Sequence, residues 1–142
     1  MRPAVQFPLT IYYDAACPLC AKEMHALKTG DSDGRLILVD CSHPDFDDGP
    51  FSYCGITRES MLNLIHARDA AGRWLKGVEV FETAYGAAGF AELSRLWGHR
   101  LLRPWWDRLY PWVARNRYTL SRLGLPLLFR LLVRNSDRKT DT

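Results

Sequence analysis

Two short apolar runs, Leu9–Tyr13 and Leu36–Val39, flank a single stretch of helical periodicity, and this arrangement restricts the available folds more than any other feature. Leu9-Thr-Ile-Tyr-Tyr13 is β-branched and aromatic, the composition of a strand. Cys20, Met24 and Leu27 then fall at i, i+4 and i+7, one helical stripe. Pro18 suits the first helical position, where its missing N–H costs nothing, and Gly30 is a natural stop. Leu36–Val39 is almost wholly apolar, which predicts a strand buried on both faces. Strand, helix and strand in about 30 residues make a βαβ unit, with parallel strands and a right-handed crossover.

The chain beyond this unit changes character. His43 to Tyr53 is rich in Asp, Pro and Gly, and reads as a loop with a short helix. Met61–His66 reads as a third strand, Asp69–Gly72 as a hairpin turn and Arg73–Lys76 as a fourth strand. Residues 79–97 read as one helix, with Phe81, Tyr85, Ala88, Leu93 and Trp97 on its apolar face and Glu79 and Glu82 near its amino-terminal end. The order β-α-β-(α)-β-β-α is α/β and is the order of the thioredoxin fold. Residues 1–97 are expected to form that domain and 98–134 a helical extension packed on it, with 135–142 a disordered tail. In the extension, Leu101, Leu102, Trp105, Trp106, Leu109, Trp112 and Val113 recur at helical spacing, disturbed near Pro104 and Pro111. Trp105, Trp106 and Trp112 read as packing against the sheet. Leu120–Val133, broken by Gly124 and Pro126, reads as a second helix.

Cys17-Pro18-Leu19-Cys20 lies at the junction of the first strand and helix. In that context C-x-x-C reads as a thioredoxin-like redox pair. Cys17 falls at the helix N-cap, where unpaired N–H groups and the positive end of the dipole stabilise a thiolate. Cys20 lies one turn on, within reach of a disulfide. In the expected mechanism Cys17 attacks a substrate disulfide, and Cys20 resolves the mixed disulfide and releases reduced substrate. Asp14, three residues before Cys17, has two readings: its charge disfavours the thiolate, or its side chain caps and orders the turn, the reading favoured here.

Asp14-x-x-Cys17-x-x-Cys20 after an aromatic strand resembles the signature of the DCC family of predicted thiol–disulfide oxidoreductases. Gly72-Arg73 followed by Gly77 and a helix is similar to the family's middle section, and Tyr110-x-x-Val-Ala-Arg-Asn-Arg-Tyr-x-Leu-Ser121 to its carboxy-terminal section. The resemblance spans about residues 9–122. It implies a thioredoxin-like fold, disulfide reductase activity, and Asp14, Cys17 and Cys20 as motif residues. No cofactor is expected. The partners expected are a disulfide-containing protein or small thiol and an electron donor. Thioredoxins carry a proline just before the third strand; the stretch here, Ile56-Thr-Arg-Glu-Ser60, has none, which leaves metal binding open.

The rival class is a non-catalytic binding module with cysteine-held zinc. Cys17, Cys20, Cys41 and Cys54 follow C-x2-C-x20-C-x12-C, which lacks the second C-x-x-C knuckle of such sites, so Cys41 and Cys54 read as small buried hydrophobes. His25 and His43 are candidate further ligands but read as polar surface groups, and His66 and His99 show no visible partner. Asp31-Ser-Asp-Gly34 and Asp45-x-Asp-Asp-Gly49 lack the terminal Glu of calcium loops and read as turns.

The net charge of +3 conceals a split. Residues 1–94 hold 8 Lys+Arg against 13 Asp+Glu, net −5; residues 95–142 hold 11 against 3, net +8. The basic part reads as a solvated face paired with the acidic part, or as a surface for anionic headgroups. Only charge speaks for nucleic acid, with no binding motif beside it. The amino terminus lacks the apolar core of a signal peptide, and Arg122 and Arg130 interrupt the most apolar run, so the expected compartment is the cytoplasm, where thiols stay reduced.

Overall fold

The computed structural model describes residues 4–122. β1 (Leu9–Tyr13) and β2 (Leu36–Asp40) pair in parallel, Leu9 opposite Leu36, with α1 (Pro18–Gly30) crossing between them. β3 (His66–Arg68) runs antiparallel to β1, Ile11 opposite Ala67, and β4 (Trp74–Lys76) runs antiparallel to β3. The sheet order is β2-β1-β3-β4. A parallel first half and an antiparallel second half make this a thioredoxin-like α/β fold.

Alternation along β1 divides the core. Leu9 and Ile11 are fully buried among Met24 and Leu27 of α1 and Phe81 and Tyr85 of α3 (Val78–Ala87). Tyr12, one residue out of phase, belongs to a second cluster with Cys41, Ile56 and Met61, where its ring meets Phe46, Phe51 and Trp74. Each large apolar side chain so buried contributes about 1.5–3 kcal/mol. The central strand carrying the cysteine loop is thus held from both faces.

Several expectations are corrected. Met61 is not in a strand: α2 spans Arg58–Asn63, and β3 begins only at His66. Thr57 caps α2, its side chain accepting from the Ser60 N–H while the Ser60 hydroxyl accepts from the Thr57 N–H. The short helix expected in His43–Tyr53 is a 3₁₀ turn, Gly49–Cys54. β2 is the sheet edge, so Ile37 is 45% exposed rather than buried. The single helix expected over 79–97 is two, α3 and α4 (Ala91–Gly98), separated at Gly89, whose φ of +85° breaks the helix.

α5 (Arg103–Arg115) and α6 (Arg117–Arg122) follow. Pro104 is harmless at the second position of α5, and Pro111 lies within the helix. Trp106 packs on Trp97, ring centroids 5.2 Å apart, and Tyr110 on Phe81 at the same distance. This turns the neighbouring positions outward: Trp105 and Trp112 are 68% and 50% exposed, so neither packs against the sheet. α6 lies against α1. The second helix expected over Leu120–Val133 and the expected tail lie, beyond Arg122, outside the described residues.

Candidate redox site

β1 ends at Tyr13, and the chain turns immediately into α1. Asp14 orders this turn: its carbonyl accepts the Cys17 N–H at 3.2 Å, and its Oδ1 accepts the Ala16 N–H at 3.0 Å. From the end of β2, Asp40 Oδ1 takes the Ala15 N–H at 3.1 Å. The turn is pinned by both parallel strands.

Cys17 is the N-cap of α1, with Pro18 the first helical residue. Its Sγ accepts the Cys20 N–H at 3.4 Å and the Cys20 thiol at 2.7 Å. The Cys20 thiol is held far above its ordinary pKa, first by that hydrogen bond to Cys17, then by burial. Accessibility runs opposite to the simplest picture of an attacking thiol. Cys17 is completely buried, whereas Cys20 is partly exposed.

The second oxygen of Asp14 ties this loop to α6. Tyr118 donates its hydroxyl to Asp14 Oδ2 at 2.6 Å, and Arg117 donates from Nη2 at 3.2 Å. Asp14 is itself 6% exposed. Asp14 thus orders the turn through one oxygen and faces the Arg117 cation of α6 with the other.

Beside the cysteines is a cavity of about 70 Å³, whose lining includes Cys20, Glu23, Ile65, Phe81, Tyr110 and Arg117. Glu23 accepts a hydrogen bond from the Tyr85 hydroxyl at 2.9 Å. Burial raises its carboxyl to a pKa of about 7, against the lowering effect of that hydroxyl and with a further push from Cys17.

Cys41 and Cys54 do not join the pair. Cys41 is fully buried in the second core cluster, its thiol donating to the Tyr13 carbonyl at 3.1 Å, and burial pushes it up to about 11. Cys54 is exposed at the end of the 3₁₀ turn. Among the described residues no group of three or more His, Cys, Asp or Glu is placed to hold a metal ion. With β3 relocated, the residues just before it are Leu64 and Ile65, again without proline.

The model of the DCC1-like thiol-disulfide oxidoreductase family matches residues 11–123, which takes in the cysteine loop, the sheet and the segment bearing Arg117 and Tyr118. The chain belongs to this family. It is also similar to an uncharacterized chloroplastic protein of Arabidopsis thaliana, 27% identical over 135 residues. That alignment takes in 94% of this chain but 61% of the relative, so the chain spans less than two thirds of that protein's length. No solved structure matches.

Family membership places this chain among the DCC1-like proteins. It draws attention to residues that motif reading left without a role. Arg117 and Tyr118 stand in the carboxy-terminal segment that resembles the family, and only the fold brings them to Asp14, 103 and 104 residues away. Glu23 had a weaker signal: it is an acid one turn beyond Cys20 in a helix whose first turn has none.

Proposed function

We propose that the chain is a protein-disulfide reductase in which Cys17 is the attacking thiolate and Cys20 the resolving thiol. The observation that carries this reading is the double hydrogen bond to the Cys17 sulfur at the N-cap of α1, from the N–H and the thiol of Cys20. A negative charge is favoured on the sulfur that accepts, and the helix N-terminus adds to it. The chemistry balances without a cofactor. Cys17 thiolate attacks the substrate disulfide and releases the first substrate thiol. Cys20 then attacks the mixed disulfide and releases the second, leaving Cys17–Cys20 oxidised. A separate dithiol donor, available in a reducing compartment such as the cytoplasm, restores the pair.

Because Cys17 is buried, turnover requires local opening around its sulfur, and α6, tied to the cysteine loop through Asp14, is the element we assign to that movement. The substrate class is a disulfide-bearing protein or small thiol. In a Cys54→Ser background, redox titration is expected to follow one two-electron couple. Cys17→Ser is expected to reduce activity against hydroxyethyl disulfide to the uncatalysed level. Retained activity in Cys17→Ser overturns this reading.

The basic extension has its own observation. Across the acidic and basic parts the described ion pairs are Glu82 with Arg103 at 2.9 Å, Asp14 with Arg117 at 3.2 Å and, at the boundary, Glu92 with Arg95 at 3.1 Å. Arg100, Arg108, Arg115 and Arg122 have no acidic partner among the described residues, so the basic face is paired in part. They alternate with the exposed Leu101, Trp105, Leu109 and Trp112. Cations beside half-exposed indoles suit an anionic bilayer surface, at about 1 kcal/mol per arginine. Co-sedimentation with phosphatidylglycerol vesicles is expected at low salt, lost at high salt, and weakened by Trp105→Ser with Trp112→Ser. No pelleting at low salt overturns the membrane assignment and leaves the redox one standing.

A further inference from the structure

The two-step reaction leaves one proton unassigned. Cys20 cannot attack the mixed disulfide as a thiol, and its pKa is raised by its surroundings. In the resting dithiol the proton is shared toward Cys17, but once Cys17 carries the substrate sulfur that acceptor has no charge. Another group must take the proton.

Several groups near the cavity fail on geometry or chemistry. Both oxygens of Asp14 are engaged, by the Ala16 N–H on one side and by Tyr118 and Arg117 on the other. Asp40 does not line the cavity, and its Oδ1 is occupied by the Ala15 N–H and by the N–H and hydroxyl of Ser42. The phenols of Tyr85 and Tyr110 are held neutral by burial. Arg117 is a cation and accepts nothing. Glu23 is different. It follows Cys20 by one helical turn, which sets the two side chains as neighbours on one face of α1. Both line the same cavity. Tyr85 from α3 fixes one carboxylate oxygen, and the other accepts no hydrogen bond from the described residues. Glu23 is half-buried, hydrogen-bonded to Tyr85 of α3, and lines the cavity together with Tyr110 of α5.

We propose that Glu23 is the proton acceptor for Cys20, and that Tyr85 positions it. This inference rests on the dithiol reading above. The Cys20 proton moves to the free Glu23 oxygen as the Cys20 sulfur attacks Cys17 Sγ, the bond from Cys17 to the substrate sulfur breaks, and the departing thiolate takes a proton from the Glu23 carboxyl or from solvent. The carboxylate is restored and two electrons have passed to the substrate. A group that titrates near neutrality can take and return a proton in this way, whereas an ordinary carboxylate is too weak a base.

The test follows the intermediate rather than turnover. Reduced protein carrying Cys54→Ser is mixed with hydroxyethyl disulfide, quenched in acid, and weighed by mass spectrometry. The adduct is expected to be transient in this background and to decay about 100-fold more slowly in Glu23→Gln at neutral pH. Its decay rate is expected to rise with pH through an inflection near 7. That inflection is expected to vanish in Glu23→Gln and to move to higher pH in Tyr85→Phe, which removes the hydroxyl that lowers the Glu23 pKa. A merely structural role moves neither inflection. Equal adduct lifetimes with and without Glu23 overturn the proposal, as does an inflection unmoved by Tyr85→Phe. Cys20→Ser separates this from the underlying reading: an adduct that forms and persists keeps Cys17 as first attacker, and no adduct at all defeats that assignment whatever Glu23 does.

Discussion

Asp14→Asn is expected to increase alkylation of Cys17 by N-ethylmaleimide by about 100-fold while lowering stability by about 3 kcal/mol. The carboxylate is 6% exposed and holds α6 against the cysteine loop through Arg117 and Tyr118. An amide of the same shape keeps the Ala16 N–H bond but loses the ion pair, leaving the largely buried Arg117 without its counter-charge. Removing one partner of such a pair costs more than the pair itself contributes. The lost energy is that of the closed state, so local opening becomes more frequent, and about 1.4 kcal/mol corresponds to a factor of ten. Tyr118→Phe changes no charge and is expected to raise the rate by about tenfold. Labelling is read on native protein by mass spectrometry in the Cys54→Ser background. A rate unchanged in Tyr118→Phe would show that α6 does not control access to Cys17.

This contact also marks where sequence reading ends. β1, the cysteine turn and α1 were legible because each rests on neighbours within one helical turn: the aromatic strand, Pro18, and the stripe of Cys20, Met24 and Leu27. The pairing of Asp14 with Arg117 joins residues 103 apart, and no local pattern reports it. The third strand differs from its expected place because β3 has three residues, too few for an alternation to register, while Met61 and Leu62 belong to α2 and Leu64 and Ile65 lie between the two elements. The α2 signal was present in Thr57 and Ser60, but a capping box more often carries Glu or Gln at the second site. Exposure of Ile37 followed from β2 being an edge, a property of strand order rather than of Leu36–Val39. Glu23 lies on a helix with ordinary polar neighbours, and its burial arises from α3 and α5, distant elements in the chain.

The same burial gives Glu23 a measurable cost. Its carboxyl titrates at about 7 in the folded protein against 4.5 when unperturbed. Between those values the folded chain holds a proton that the unfolded chain has released. The resulting stability is fully present below pH 4.5 and is lost as pH rises through about 7, a loss of about 3 kcal/mol. His66 opposes it in part of that window. Burial lowers the His66 pKa, so its contribution is present above 6.5 and lost as pH falls through its folded value. The buried aspartates Asp31 and Asp69, with depressed values, matter only at more acid pH. Comparing wild type with Glu23→Gln cancels all of these. Urea unfolding at pH 5 is expected to give similar stabilities. At pH 8 Glu23→Gln is expected to be the more stable, by up to about 3 kcal/mol, since the amide keeps the Tyr85 contact without a buried charge. Equal stabilities at both pH values would mean that Glu23 titrates as an ordinary surface acid. A gain at pH 8, joined to slow resolution of the mixed disulfide, identifies a carboxylate retained for proton transfer at the expense of stability, the combination expected of a functional group in a redox site.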